Sequence, residues 1–223
     1  MIASGFYFRG HEEDKTIMSA SATTASRKLL TTRNITRIAI LSAIAYVLML
    51  IEFPLPIAPS FYKLDFSEVA VLIGGFAMGP AAAAAIEAIK VLLNLLFSGT
   101  VTMGIGELAN FLIGCALCVP ASWMYAHRKS RATALKGMVL GTVCMTIAGV
   151  LLNWLVLIPA FVRFAGYPLD AIIGMGSAIN SRITDVLSLC ILCVIPFNLI
   201  KGVLTSAVTS LLYKHVSPLL HRS

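Results

Sequence analysis

Two pairs of polar residues stand where the sequence is otherwise apolar. Glu87 and Lys90 lie one helical turn apart in the alanine-rich run after Pro80, and Asn198 and Lys201 share one face of the last apolar stretch. Ionisable side chains at membrane depth cost about 2.5–3.5 kcal/mol each on insertion scales, so they face a partner, a cavity or a ligand path. Glu87 and Lys90 fit either an i,i+3 ion pair that ties helices together or a gating and solute contact. Asn198 both donates and accepts, and beside the cationic donor Lys201 it suits a ring system rich in carbonyl and imide-like groups. Asn153, next to Trp154 in another apolar stretch, needs a neighbouring helix or a ligand to offset its burial.

Two further segments concentrate useful side chains. Phe61-Tyr62-Lys63-Leu64-Asp65-Phe66-Ser67-Glu68 and the run 99–110 combine aromatic rings, which stack on flat ligands, with short polar groups that fix a ligand edge. Arg182 and Asp185 repeat the i,i+3 spacing at the outer start of the last stretch, where an ordinary interfacial pair is expected. Cys115/Cys118 and Cys190/Cys193 have Cys-x-x-Cys spacing, but both pairs lie inside apolar stretches without the turns of a zinc ribbon. They read as packing residues, and no metal site is expected. His11, His127, His215 and His221 all fall outside the apolar stretches, which argues against a histidine-ligated intramembrane protease. No Gly-x-x-x-x-Gly-Lys-Ser/Thr motif is present, so any ATP hydrolysis belongs to another chain.

The elements that must position these groups follow from hydropathy. With 58% hydrophobic and 12% charged residues, the chain is far more apolar than a soluble domain. Apolar stretches at 35–51, 69–78, 81–97, 108–125, 135–161 and 183–213 predict an all-α integral membrane protein, a compact bundle of six transmembrane helices. The second is short, Gly79-Pro80 forces a tight turn into the third, and Pro196 predicts a kink in the last. On the first, Ala39, Ser42, Ala43 and Ala45 form a strip of small residues that fits internal packing or docking of a separate membrane subunit.

Basic residues orient the bundle. Arg27, Lys28, Arg33, Arg37, Arg128, Lys129, Arg131, Lys136, Lys214 and Arg222 fall on one side, against Lys63, Arg163 and Arg182 on the other. Both termini are therefore expected in the cytoplasm, and the net charge of +7 reads as topology and contact with anionic membrane lipid, not nucleic-acid binding. Residues 1–34 read as a disordered polar tail, 35–213 as the membrane domain and 214–223 as a cytoplasmic tail.

The polar segments also carry a resemblance. Leu64-Asp65-Phe66-Ser67-Glu68, then Gly74-Gly75-Phe76, Gly79-Pro80, Glu87-Ala88-Ile89-Lys90 and Gly106-Glu107-Leu108-Ala109-Asn110-Phe111, resemble the riboflavin-specific substrate-binding component of energy-coupling factor vitamin transporters. Leu152-Asn153-Trp154, Ile158-Pro159 and Pro196-Phe197-Asn198-Leu199-Ile200-Lys201-Gly202 continue the pattern in order, so it covers about residues 35–213.

The resemblance implies a prokaryotic cell-membrane protein without enzymatic chemistry or catalytic cofactor, which captures riboflavin from outside. It further implies a membrane scaffold subunit and two cytoplasmic ATPases as partners. By motif, Asn198, Lys201 and Asn153 would bind polar edges of the flavin. Leu64, Asp65 and Phe66 would shape and partly close the pocket, Glu107 and Asn110 would support its wall, and Ala39 and Ala43 would meet the scaffold. Where the family often has Gly-Gly, this chain has Met103-Gly104, and it has Val91 where the family often has asparagine after the third-helix lysine.

Three other readings stay open on residues alone. The ligand could be another vitamin; Glu87, Glu107 or Asp185 could couple a secondary transporter to protons; or Glu87/Lys90 or the cysteines could serve an intramembrane enzyme, for which a nucleophile–base constellation is lacking.

Overall fold

The computed structural model describes residues 31–100 and 102–220, with side chains as far as Tyr213. Expectations for residues 1–30, including His11, Arg27 and Lys28, and for the side chains of Lys214, His215, His221 and Arg222 therefore lie outside the described residues. The chain divides into two units, Met1–Arg37 and Ile38–Ser223. In the first, residues 31–37 carry the start of helix α1, Thr32–Leu50. The second carries the rest of α1 and all the elements that follow it.

After α1, β1 (Phe53–Pro54) and β2 (Lys63–Leu64) pair antiparallel, with Phe53 opposite Leu64 and Pro54 opposite Lys63. Helix α2, Ser67–Met78, follows. It is separated from α3, Pro80–Ser98, by Gly79 alone. Gly79 has φ +100°, a conformation glycine adopts without a Cβ penalty, and Pro80 supplies the fixed φ of a first helical residue.

Helix α4 runs Ile105–His127 and α5 runs Arg131–Leu152. They pack closely because Gly137 and Gly141 face the backbone of α4; a Cβ on Gly137 would sit 2.8 Å from the Ala121 carbonyl oxygen. His127, which lies beyond the apolar stretch 108–125, is the last residue of α4, with Nδ1 2.8 Å from the Trp123 carbonyl oxygen.

A π-helical turn, Asn153–Leu157, leads from α5 into α6, Ile158–Phe164. A second π turn, Cys190–Val194, joins α8, Val186–Leu189, to α9, Ile195–Leu220; between α6 and α8 lies α7, Leu169–Ser177. Both π turns sit just upstream of an Ile-Pro step, at Pro159 and Pro196. A proline lacks the donor for the carbonyl four residues back and its ring crowds that carbonyl, so the preceding turn widens. Ile158 N accordingly donates to the Asn153 carbonyl and Ile195 N to the Cys190 carbonyl, each five residues back.

Among the described residues, five helical stretches are long and apolar enough to cross a membrane: Thr32–Leu50, Pro80–Ser98, Ile105–His127, Arg131–Phe164 and Val186–Tyr213. Helix α2 has 12 residues, about 18 Å at 1.5 Å per residue, and falls short of a ~30 Å hydrocarbon core. The protein is mostly helical and multi-pass.

The last helical stretch begins later than hydropathy suggests. Asp185 caps it: its Oδ1 accepts from Ser188 N at 2.8 Å, while Ser188 Oγ accepts from Asp185 N at 3.0 Å. Hydrogen bonds from Ser188 hold the Asp185 carboxyl below its ordinary value. Among the described residues Arg182 and Asp185 form no ion pair, since the cap uses the carboxylate and Arg182 precedes the helix. A core of Ala58, Leu64, Ile158, Ile172, Leu189, Val194 and Phe197 anchors the β2 strand beneath the loop to both π-containing helices.

Candidate functional site

A cavity of about 300 Å³ opens between the β1–β2 segment, helices α1, α4 and α9, and the π turn that follows α5. Its walls include Met49 and Glu52, Phe61, Tyr62, Lys63 and Asp65 from the loop, Gly106, Asn110 and Ile113 from α4, Asn153 and Leu157 from the first π turn, and Phe197, Asn198 and Lys201 from α9. The sequence-derived candidates Asn198, Lys201, Asn153, Asp65 and Asn110 are thus brought together from positions up to 136 residues apart.

Leu64, Phe66 and Glu107 are not in this lining. Leu64 is fully buried in the core, because the alternation of a strand turns it away from the side chains flanking it. Phe66 packs on Phe53 with ring centroids 6.4 Å apart. Glu107 accepts a hydrogen bond from Thr100 Oγ1 at 2.8 Å and braces the loop before α4, leaving Gly106 at the wall.

The two buried asparagines are held in the same way. Asn153 Nδ2 donates to the Gly149 carbonyl at 2.7 Å and Asn198 Nδ2 to the Val194 carbonyl at 2.9 Å, each four residues back. Each bond fixes one amide N–H on its own helix and orients the rest of the amide group. Asn153 Oδ1 accepts from the Tyr62 hydroxyl at 2.6 Å. Burial pushes the Tyr62 phenol above its ordinary value, with the neighbouring thiols Cys190 and Cys193 acting in the same direction, so the hydroxyl remains a donor. The Tyr62 ring lies 4.5 Å from Phe61 and 5.7 Å from Phe197, centroid to centroid, giving the cavity an aromatic wall.

The charged side is more extensive than the sequence suggested. Lys201 Nζ lies 2.9 Å from Asp65 Oδ2 and 3.2 Å from Glu68 Oε1. Burial opposes ionisation of Asp65, but the charges of Lys201 and Lys90 and hydrogen bonding from Ser67 outweigh it and hold the carboxyl well below the usual carboxylate range. Glu87 and Lys90 do form the i,i+3 pair, 2.6 Å apart and fully buried, and neither is in the cavity lining. Near the rim, Lys63 pairs with Glu52.

Sequence reasoning missed Glu68, Tyr62 and Phe197 as individual site residues. Glu68 carried a signal, an acid at the head of the apolar run 69–78, but its partners Lys90 and Lys201 stand on other helices. Tyr62 and Phe197 flank named candidates, and only the fold shows that their rings meet. Ala39 and Ala43 are exposed on α1, whereas Ser42 and Ala45 are buried, so the small-residue strip divides between an inner and an outer face. Among the described residues no cluster of histidine, cysteine and carboxylate side chains fits a metal ion.

Residues 33–213 match the family described as ECF transporter, substrate-specific component. The chain is 32% identical over 182 residues to the riboflavin transporter FmnP of Bacillus subtilis (strain 168), covering 81% of this chain and 90% of that protein. It is 36% identical over 187 residues to the riboflavin transporter RibU of Staphylococcus aureus (strain TCH60), covering 83% and 90% respectively. A solved structure of the S component of a bacterial ECF transporter superposes with a TM-score of 0.66 at 35% identity, covering 85% of this chain and 98% of the other. The chain belongs to the family of ECF transporter substrate-specific components, membrane subunits that bind and transport and are not enzymes.

Proposed function

We propose that this protein captures riboflavin in the cavity and delivers it as the substrate-specific component of an ATP-driven vitamin importer. The observation that carries the reading is the meeting of Asn153, Asn198 and Lys201 beside the Tyr62–Phe197 aromatic wall, in a chain whose relatives are named riboflavin transporters. The isoalloxazine ring is flat and apolar along one edge and rich in carbonyl and imide groups along the other. The first edge matches the aromatic wall, and the second matches amides that donate and accept next to an ammonium donor. Asn110 adds a third amide on the α4 side, and Asp65 holds Lys201 from the loop that would close over the ligand.

Release requires a second state with weaker binding, because a ligand held equally by two states shifts neither. In this reading a membrane scaffold docks on the exposed Ala39/Ala43 face, and two cytoplasmic ATPases drive the change. Helix α2 acts as the sixth membrane element, packed behind its neighbours. Both termini lie in the cytoplasm of a prokaryotic cell, residues 35–213 form the membrane domain, and 1–34 and 214–223 are tails. The distribution of Arg33, Arg37, Arg128, Lys129, Arg131 and Lys136 supports that orientation.

The test is absorption and fluorescence of detergent-purified protein before and after acid release, followed by riboflavin titration of the emptied protein with thiamine and biotin as competitors. Near one equivalent of released flavin and saturable quenching, resistant to the other vitamins, is the expected result. Well-folded protein that neither releases flavin nor quenches it would overturn the assignment.

A further inference from the structure

A chain of charges runs from the cavity wall, where Asp65 and Lys201 stand, into the core behind it. The Lys201 ammonium sits between Asp65 Oδ2, at 2.9 Å, and Glu68 Oε1, at 3.2 Å. The same Glu68 oxygen is 3.4 Å from Lys90 Nζ, which in turn is 2.6 Å from Glu87 Oε1 and donates to Ser67 Oγ at 3.0 Å. Charge alternates along the path Asp65, Lys201, Glu68, Lys90, Glu87, with three carboxylates against two ammonium groups. The path runs from the loop before α2, through α9 and α2, to α3. Glu68, Lys90 and Glu87 are almost completely buried and are not in the lining of this cavity.

Buried charges so close together are strongly coupled, since little water screens them and each fixes its neighbour. Glu68 Oε1 is the shared point: it is drawn by Lys90 on one side and by Lys201 on the other. The far end has little freedom, because the Glu87 carboxylate packs directly on Gly114 of α4 where a Cβ would overlap it. The location of the Lys201 ammonium at the cavity edge is therefore a balance between Asp65 on the loop and Glu68 in the core.

We propose that Glu68 is a positioning residue that sets where Lys201 presents its ammonium to the ligand, and that Lys90 and Glu87 tune ligand affinity through Glu68 without touching the ligand. The proposal rests on the riboflavin reading of the cavity. Without Lys90, Glu68 draws Lys201 inward; shortened to aspartate, it releases Lys201 toward Asp65. Either displacement misplaces the ammonium against a ring edge already fixed by Asn153 and Asn198.

The experiment is a thermodynamic cycle on the full-length protein. Glu68→Asp and Lys90→Met are made in the native and Lys201→Met backgrounds, riboflavin Kd is read by fluorescence quenching, and unfolding midpoints are read without ligand. In the native background each change raises Kd about tenfold, a partial loss of one charge-assisted hydrogen bond. In the Lys201→Met background the same changes leave Kd where it was. An equal fold-loss in both backgrounds, or an unchanged Kd in the native one, overturns the proposal.

Lys90→Met leaves carboxylates buried and short of a cation; if it fails to fold, Glu68→Asp, which keeps the charge, carries the same comparison. The ligand-free midpoints separate the two readings. Non-additive midpoints in a native protein that binds no flavin overturn the ligand assignment and the affinity role together. Saturable flavin binding with a flat Kd cycle overturns the positioning role alone.

Discussion

The Tyr62 hydroxyl donates to Asn153 Oδ1 at 2.6 Å, tying the loop between β1 and β2 to the π turn that follows α5. The bond satisfies a buried amide oxygen and at the same time holds an aromatic ring over the cavity. Tyr62→Phe keeps the ring and removes the tether. An unsatisfied buried acceptor costs about 1–3 kcal/mol, so the ligand-free unfolding midpoint falls. Flavin dissociation should quicken at least several-fold, because part of the loop's hold on the closed state is gone. Stopped-flow release of flavin fluorescence checks this; an unchanged rate would mean that the tether is absent from the bound state.

The Lys201–Asp65 contact changes what a lysine substitution is expected to do. From sequence alone, Lys201→Met reads as a loss of ligand contact with the fold intact. In the structure it also strands Asp65, buried and charged, and leaves Glu68 with Lys90 alone. Lys201→Met should weaken flavin binding about 10- to 100-fold, the worth of one charged hydrogen bond, and also lower the unfolding midpoint. Adding Asp65→Asn to it should recover much of the midpoint and none of the affinity. Recovery of affinity in the double variant would remove Lys201 from the ligand contacts.

The same pair sets a pH dependence. The Asp65 carboxyl is held well below its ordinary range, so the unfolded chain takes up its proton at higher pH than the folded protein does. The stability that Asp65 contributes is therefore complete above about pH 4, the ordinary aspartate value, and is lost as pH falls toward the depressed folded value. The difference in unfolding midpoint between native protein and Asp65→Asn should be constant from about pH 8 to pH 5 and shrink only below about pH 4. A difference that already closes between pH 7 and pH 5 would show that Asp65 is not held as an ion.

Ala39 and Ala43 lie on the exposed face of α1. Leucine at either position adds bulk outside the fold, so riboflavin affinity and the unfolding midpoint of the isolated protein should stay near native. A face that must meet another membrane helix closely loses that approach when a small residue becomes large. Riboflavin uptake by cells carrying the whole transporter should then fall several-fold or more. Impaired binding in the isolated protein would place these alanines in internal packing instead.

What the sequence disclosed followed from interactions that are local or strongly patterned. The long apolar stretches appear because burial in lipid demands them, and Asn153, Asn198 and Lys201 stand out because polar groups are rare there. The Glu87–Lys90 pair was legible because its partners are three residues apart. Glu68 was not: its two cations lie 22 and 133 positions away along the chain, at Lys90 and Lys201, and no local pattern brings them together. Leu64 and Phe66 were assigned to the pocket as part of a motif, but Asp65 reaches the cavity to meet Lys201 while Leu64 packs in the core and Phe66 on Phe53, contacts that a linear motif does not show. The π turns escaped because Ile-Pro steps identify a disturbed helix without specifying how its hydrogen bonds are re-paired.

Gly149 provides a sharper test of the amide geometry than removing an asparagine. It sits on α5 directly beneath Asn198, and a Cβ there would lie 2.5 Å from Asn198 Nδ2, closer than side chains pack. In Gly149→Ala the group that yields is the Asn198 amide, whose bond to the Val194 carbonyl then lengthens or breaks. Alanine is a better helix former than glycine by about 0.8–1.0 kcal/mol, which offsets part of the disturbance to the fold. The unfolding midpoint should therefore change little while riboflavin Kd rises about tenfold, as expected for one misdirected hydrogen-bonding group in a buried site. Asn198→Ala in the same background should add little further loss. A full additional loss would mean that Asn198 still reaches the ligand past the new methyl group, and that its amide is not held by the space over Gly149.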